Sequence, residues 1–273
     1  MVIQHNLAGL NSKRNQKINE SKLKRNLEKL SSGYRINRSG DDVAGLAISE
    51  SLRSQINGLN QAQDNIGDAI NLIQTSEGAM QEVHAMLERM YQCSVGASNG
   101  TYTDEIRNIM TTEVDQLKEE IQRIAKDTSF YFVGMLESEG TEDADFQIGA
   151  SEEEVLKVDL PDLGLGASRL NIEDVSIGTQ DAAHDAIPVL KEAIDYVSAE
   201  RGRMGAYQNR LEYAERSIGV ASENLTAAES RIRDTDMADE ITSYTKNNIV
   251  RQAAESMLTQ ANAMPQNVLN ILQ

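Results

Sequence analysis

The sequence predicts a mainly α protein, a long antiparallel coiled-coil bundle of helices with a short β-hairpin region. Two stretches keep an apolar residue at every seventh position over many turns, which is typical of helices packed along a left-handed seam. The composition agrees, because the 273 residues include no Trp, only 4% aromatic residues and three prolines, none of them before Pro161. Strand-like alternation occurs only in the middle of the chain, where the hairpin is expected.

The first long helix is predicted between two chemical markers. Its seam positions are Leu52, Leu59, Ile66, Ile73, Met80 and Leu87. Asp41 and Asp42 precede the repeat, and carboxylates at that point cap free N–H groups and complement the helix dipole. Asn99-Gly100 follows the repeat and predicts the C-terminal end of the helix.

The second repeat is longer and predicts a helix of about 65 Å at about 1.5 Å per residue. Its seam positions are Leu190, Val197, Met204, Leu211, Ile218, Leu225 and Ile232. Asp234-Thr235-Asp236 separates this helix from another helical pattern that begins at Met237. A shorter helix between the two repeats carries Met110, Val114, Leu117, Ile121 and Ile124 at the same spacing. Three such helices can form one bundle.

The middle of the chain, between Phe130 and Ile177, changes its periodicity. Residues 146–149 and 155–158 are predicted as short strands joined by a turn. Glu137 to Asp162 holds ten acidic residues and one lysine. Because so many carboxylates cannot be buried without a large desolvation cost, we expect this segment to face solvent.

The charge balance excludes two classes of partner. Lys and Arg number 26 and Asp and Glu 43, so the net charge is −17. A surface this acidic repels nucleic acid and anionic membranes, which need clustered cations. Residues 1–38 are the exception, with nine basic and two acidic residues. This arm has no aromatic residue before Tyr34 but carries its own apolar stripe, so it is interpreted as an amphipathic segment for a protein partner.

No pattern in the chain indicates an enzyme, a metal site or a cofactor. The single cysteine, Cys93, excludes an internal disulfide and a multi-thiolate site. The acidic patches at residues 41–42 and 234–236 lack the ligand spacing of a Ca²⁺ loop, so helix capping is the better interpretation. There is no phosphate loop, HExxH motif or nucleophile–base pair. No apolar run reaches the length of a membrane span, and residues 1–14 lack the features of a cleaved signal peptide.

The two chain ends are predicted helices that are apolar on one face and have no internal partner except each other. Even when paired they would form a thin core, so we expect them to pack against other copies of the chain. The residues assigned to this assembly are Ile3, Leu7, Leu10, Leu27, Leu30, Met257, Leu258, Val268 and Leu269.

Three segments are specific enough to show a family resemblance. They are residues 27–38 (LEKLSSGYRINR), 40–49 (GDDVAGLAIS) and 221–237 (ASENLTAAESRIRDTDM). Together with the tail at residues 260–269, they resemble bacterial flagellin, in the family's order and over essentially the whole chain. The chain resembles a short form, because the acidic strand region stands where many flagellins insert large outer domains.

The resemblance implies a structural subunit that polymerises into the flagellar filament for swimming motility. It implies that residues 1–43 and 234–273 form the inner tube, and that residues 44–233 form an outer helical rod with a small β region at about 130–178. It also implies export of the unfolded chain by the flagellar type III apparatus and an extracellular location. The implied partners are other copies of the chain, an export chaperone at the C-terminal helix, and the hook–filament junction and cap proteins.

The resemblance further implies a surface recognised by the host Toll-like receptor 5. The matching residues are Leu87, Arg89, Met90, Cys93 and Glu113. Where responders commonly have Arg-Glu-Leu, this chain has Tyr91-Gln92-Cys93. Since replacing Leu by Cys removes apolar contact area, we expect recognition with altered, weaker signalling. Tyr131-Phe132 is a second departure, at a turn where Asn-Gly is usual.

Two alternatives stay open from the residues alone. A hook–filament junction protein shares the terminal helices and the seven-residue repeats, and a cytosolic coiled-coil scaffold would use the same repeats for a different assembly. Shearing the cells distinguishes a scaffold from a filament subunit. A filament subunit is released with the filaments, whereas a scaffold remains in the cell pellet.

Overall fold

The computed structural model describes residues 6–130, 133–134, 136, 144–163 and 170–271. Its helices are α1 (Leu7–Ser32), α2 (Val43–Ala97), α3 (Asp104–Asp127), α4 (Gln180–Arg233) and α5 (Met237–Ile271). Two antiparallel strand pairs, β1 (Ser129–Phe130) with β2 (Val133–Gly134) and β3 (Ala144–Gln147) with β4 (Val155–Val158), lie between α3 and α4. The prediction of a mainly α bundle with a short hairpin region is confirmed.

The chain divides into two compact units. The terminal unit contains Met1–Ile56 and Glu223–Gln273, and the central unit contains Asn57–Ser222. The long helices α2 and α4 each contribute residues to both units.

Hydrogen bonds in the central unit define how its three helices run. The Ser94 hydroxyl donates to the Ala183 carbonyl at 3.2 Å. At the other end of the same helix pair, the Ser222 hydroxyl donates to Asn60 Oδ1 at 3.0 Å. The N-terminal part of α2 therefore lies beside the C-terminal part of α4, and the two helices are antiparallel. α3 is antiparallel to α2 as well, because Arg107 near its start donates to the Ala97 carbonyl at 2.8 Å and Glu113, farther along α3, accepts from Arg89 of α2 at 2.7 Å.

The predicted seams form the core of the central unit. Full burial is found at the seam residues Ile66, Ile73, Met80, Leu87, Leu190, Val197, Met204 and Leu211. From α3, Val114 and Ile121 are also fully buried. In the terminal unit, the seam residues Leu52, Leu225 and Ile232 are only half-buried. The seven-residue repeat therefore predicts the seam correctly, while the depth of burial differs between the units.

A buried arginine closes the turn between α2 and α3. Arg107 is 5% exposed, and its guanidinium donates to the carbonyls of Ala97 and Asn99 at 2.8 and 3.1 Å. Its third partner is the Asp104 carboxylate at 2.7 Å. Arg107 thus satisfies the Ala97 carbonyl, which the end of α2 leaves without an intrahelical donor. The helix ends at Ala97, just before the predicted marker Asn99-Gly100, and Gly100 does not adopt the left-handed conformation of a C-terminal glycine. The sequence pattern did not reveal the Arg107 cap.

The predicted hairpin is confirmed, with its first strand beginning two residues earlier than expected. The hairpin lies against α2, where Asn65 Nδ2 donates to the Gln147 carbonyl at 3.1 Å. A Cβ at Gly58 would lie 3.0 Å from the Cβ of Ala150, so this close approach favours glycine. The loop carboxylates Glu152 and Glu153 are exposed, as expected for the acidic segment, whereas residues 137–143 lie outside the described part of the chain.

Aspartates cap the helices as predicted. Asp42 Oδ1 accepts from the Gly45 amide at 3.0 Å at the start of α2. Asp236 Oδ1 accepts from the amides of Ala238 and Asp239 at 2.9 and 3.2 Å at the start of α5. The acidic patches therefore serve the free N–H groups of the helices.

We expect Leu211→Ala to lower the free energy of unfolding by about 2–5 kcal/mol, because the truncation leaves a cavity at a fully buried seam position. The exposed residue Glu223 supplies the control, and Glu223→Ala should leave the melting temperature nearly unchanged. Thermal unfolding followed by circular dichroism makes the comparison. Equal melting temperatures for Leu211→Ala and the parent chain would show that Leu211 is not a core residue.

Candidate assembly surface

The terminal unit is built on the pair of helices α1 and α5. Asn6 Nδ2 donates to the Ala261 carbonyl at 2.8 Å, and Lys29 Nζ lies 3.9 Å from the Glu240 carboxylate. Because Asn6 is followed by α1 and Ala261 lies near the end of α5, the two helices are antiparallel. The expected pairing of the terminal helices is therefore present within a single chain.

This helix pair buries small and polar residues rather than large apolar ones. The buried positions on its contact face are Gly9, Asn26 and Ala261. A Cβ at Gly9 would lie 3.3 Å from the Asn262 side chain and 2.9 Å from that of Asn6, so the helices approach closely at this glycine. Contacts between small residues bring little apolar area out of water, and the pair by itself has a thin core.

Large apolar side chains of the same two helices remain in solvent. Leu7 is 68% exposed and Met257 is 65% exposed. Other members of this exposed set are Leu10, Ile18, Leu27, Ile241, Ile249 and Met264. Exposed apolar side chains repeated along both helices of one unit are typical of protein–protein contact. We call these eight residues the apolar assembly surface.

The residues assigned to assembly from the sequence fall into three groups. Leu7, Leu10, Leu27 and Met257 belong to the apolar assembly surface. Leu30 and Leu258 are half-buried. Ile3 lies outside the described residues, and so do the side chains of Val268 and Leu269 on α5.

A small cluster joins the two segments that connect the terminal helices to α2 and α4. The Arg35 amide donates to the Arg233 carbonyl at 2.7 Å, and the Thr235 amide donates to the Gly33 carbonyl at 2.9 Å. Between them, Tyr34 and Asp234 form an antiparallel bridge. Gly33 has φ 75°, a left-handed conformation that glycine adopts without steric cost, and it ends α1.

Arg233 is the centre of this connector cluster. Its guanidinium carbon lies 4.6 Å from the centroid of the Tyr34 ring, and its Nη1 donates to Glu50 Oε1 at 2.7 Å. The side chain is 12% exposed. Residues that are about 180 positions apart in sequence are thereby held together, which no local pattern predicts.

The residues assigned to receptor recognition lie in the central unit, on α2 and α3. Arg89 Nε donates to Glu113 Oε1 at 2.7 Å, and both side chains are accessible to solvent. This hydrogen bond lowers the pKa of the Glu113 carboxyl below its ordinary value, so the pair is ionised near neutral pH. Burial raises the pKa of the neighbouring Cys93 thiol, which therefore stays protonated under the same conditions.

The other three assigned residues belong to the core. Cys93 is 2% exposed, and Leu87 and Met90 are fully buried. A partner that binds the folded chain meets Arg89 and Glu113 but not these three side chains. The structure thus buries Cys93, where the sequence led us to expect apolar contact with a receptor. Met90 follows Leu87 on the seam, and Cys93 lies next to Glu113 of α3.

Metal clusters and membrane-spanning helices are absent from the described residues. There, His, Cys, Asp and Glu nowhere cluster in threes in a way that could hold a metal ion. Likewise, none of the described helices combines the length and apolar character needed to cross a membrane.

Comparison with known proteins gives the same family at both ends of the chain. The profile described as the bacterial flagellin N-terminal helical region matches residues 3–140, and the profile for the bacterial flagellin C-terminal helical region matches residues 187–272. The chain belongs to the bacterial flagellin family. A flagellin is a structural protein and not an enzyme, and this chain is a subunit of that kind.

Individual relatives extend this match to full length. A flagellin of Halalkalibacterium halodurans is 46% identical, with all of both chains covered. The flagellar filament 30.7 kDa core protein of Treponema maltophilum is 44% identical, again with full coverage of both. The crystal structure of Bacillus cereus flagellin has a TM-score of 0.52 and 26% identity, covering 61% of this chain and 94% of that one. Full-length flagellin relatives favour the filament subunit over the junction-protein and scaffold alternatives.

We expect Arg233→Ala to destabilise the terminal unit of this flagellin by about 1–2 kcal/mol, since it removes a charged hydrogen bond to the half-exposed Glu50 and the stacking on Tyr34. Arg231→Ala is the matched control, because Arg231 is exposed two residues earlier on the same helix. Amide hydrogen exchange at residues 33–36 and 232–236 reports the effect. Unchanged protection in Arg233→Ala would contradict a stabilising role for the connector cluster.

Proposed function

We propose that this flagellin polymerises into the flagellar filament by packing the apolar assembly surface of its terminal unit against other copies. The observation that supports the proposal is that Leu7, Leu10, Leu27 and Met257 stay exposed although α1 and α5 are paired. Burying each such side chain stabilises an assembly by about 1.5–3 kcal/mol. Several per copy can offset the rotational and translational freedom that each subunit loses.

The charges support a radial order for the filament. The terminal unit has 14 basic and 12 acidic residues, a net charge of +2, whereas the central unit has 12 basic and 31 acidic residues, a net charge of −19. Units of nearly balanced charge can pack closely around an axis, while strongly acidic units repel one another and are better separated in solvent. We therefore assign residues 1–43 and 234–273 to the inner tube of the filament and residues 44–233 to its outer layer.

The proposal includes the route to the filament and its use. The subunit is exported unfolded by the flagellar type III apparatus without a cleaved signal peptide, becomes extracellular and serves swimming motility. An export chaperone covers the C-terminal helix, whose Ile249, Met257 and Met264 are exposed in the folded subunit. The hook–filament junction and cap proteins bind the same terminal helices at the two ends of the filament.

The proposal also includes recognition of the subunit by the host Toll-like receptor 5. Arg89 and Glu113 are accessible and already held in one geometry by their mutual hydrogen bond, which favours binding of a polar partner. Tyr91 is half-buried and Gln92 is exposed, so these two departures from the family pattern alter the edge of the contact. Changes of charge at an interface edge act mainly on the association rate.

The assembly proposal is tested by Leu7→Ser with Leu10→Ser. Polymerisation should require at least about a tenfold higher subunit concentration, because two exposed aliphatic side chains lose their burial between copies. The monomer should keep its helical content, since neither side chain is buried within one chain. Seeded polymerisation with electron microscopy and circular dichroism of the monomer are the measurements.

Asn15→Ser is the matched control for this test, as it changes an exposed polar residue of the same helix. It should polymerise like the parent chain. Normal filaments from the Leu7→Ser, Leu10→Ser variant would contradict the role of the apolar assembly surface.

For the receptor, we expect Glu113→Ala to lower the potency of the monomer in reporter cells about three- to tenfold. This fold-change corresponds to the free energy of one exposed charged hydrogen bond. Glu119→Ala, at an exposed carboxylate of the same helix, is the control. Cys93→Leu should change the melting temperature without changing potency, because position 93 lies in the core. A gain of potency in Cys93→Leu with an unchanged fold would show that the receptor does contact this position.

A further inference from the structure

A basic cavity lies in the terminal unit, beside the C-terminal half of α1. Its volume is about 360 Å³, and its cationic lining consists of Lys24, Arg25, Lys29 and Arg38. The carboxylates in its wall are those of Glu28 and Asp41. We call this feature the basic cavity.

The carboxylates of the wall are already engaged within the chain. Glu28 Oε1 accepts from Arg38 Nε at 2.7 Å. Asp41 Oδ2 accepts from the backbone amides of Asn37 and Arg38 at 3.4 and 3.2 Å, which orders the loop before α2. The lining still holds four cations against these two carboxylates, so it is net positive.

Two cations of the cavity have no carboxylate within ion-pair distance among the described residues. Lys29 pairs with Glu240 at 3.9 Å, and Arg38 pairs with Glu28, whereas Lys24 and Arg25 are exposed and form no such pair. They lie next to each other in sequence and line one cavity. Two adjacent uncompensated cations on a concave surface attract carboxylates from outside the chain.

We propose that the basic cavity binds carboxylates of a second copy of this chain during filament assembly. This inference rests on the proposed function, because it requires copies to meet through their terminal units. Charge complementarity decides the occupant, since residues 1–38 carry a net charge of +7 and the rest of the terminal unit, residues 39–56 and 223–273, carries −5. Another copy of the same chain supplies acidic partners at every assembly step.

Two carboxylates of the terminal unit fit the role of partners. Glu223 and Asp239 are exposed, and among the described residues neither forms an ion pair or caps a helix through its side chain. Among the other acids of the unit, Glu50 pairs with Arg233 and Glu255 with Arg251, and the exposed Asp234 belongs to the connector cluster through its bridge to Tyr34. Glu223 and Asp239 are therefore assigned as the residues that enter the basic cavity of a neighbouring copy.

The test is polymerisation of the full chain carrying Lys24→Glu with Arg25→Glu. At low salt the critical concentration should rise at least about fivefold, and the difference should shrink in about 1 M NaCl, where the screening length falls to about 3 Å. Lys126→Glu with Lys191→Glu is the control. It makes the same change of net charge at two exposed lysines of the central unit and should raise the critical concentration less than about twofold.

A charge reversal tests the assigned partners. Adding Glu223→Lys and Asp239→Lys to the Lys24→Glu, Arg25→Glu chain should lower the critical concentration again at low salt. Monomer melting temperatures should stay close to that of the parent chain, because all four residues are exposed. If the glutamate variant does not fold, Lys24→Gln with Arg25→Gln removes the positive charges without adding negative ones and should give a smaller effect in the same direction.

The outcomes separate this inference from the function on which it rests. Equal critical concentrations for the cavity variant and its control would overturn the inference, because net charge alone would then explain the change. No recovery on charge reversal would overturn the assignment of Glu223 and Asp239. A parent chain that forms no filaments under any condition would instead contradict the proposed function.

Discussion

Burial of apolar side chains along the seam between α2 and α4 is the interaction on which the central unit depends. Residues such as Ile66, Met80 and Leu211 are fully buried, and they are supplied by two helices that are far apart in sequence. The hairpin β3–β4 and the short helix α3 are held against these helices by Asn65 and Arg107. Without the seam neither element has a surface on which to pack, since each buries too little area to be stable alone.

The terminal unit buries much less apolar surface within one chain. Its two helices meet through Gly9, Asn26 and Ala261, so their close approach removes little apolar surface from water. Large side chains such as Leu7 and Met257 point into solvent instead. A polymer subunit needs one unit that is complete within a single chain and another that is completed by neighbouring copies. The subunit can stay soluble while its assembly surface remains available.

The two units also differ in net charge. The central unit carries a net charge of −19 and the terminal unit +2, so mutual repulsion between copies comes from the central unit. The terminal unit is nearly balanced in total charge, but its basic residues are concentrated in the first 38 positions. Arg35, Arg38 and Arg233 are used within the chain, whereas Lys24 and Arg25 are left for contacts with other molecules. The same residue types therefore hold the connector cluster together and define the basic cavity.

The sequence by itself determined the helices, the seams and their ends, because seven-residue periodicity and capping aspartates act over a few turns of chain. It also located the hairpin and the exposed faces at Leu7, Leu10 and Met257. Only the tertiary structure decided that Arg107 caps α2, that Arg233 joins Tyr34 and Glu50, and that Cys93 faces the core. These outcomes depend on which residues meet across large separations in sequence, and on the rotation of each helix about its axis. Local patterns leave both open, since they are set when all helices pack together at once.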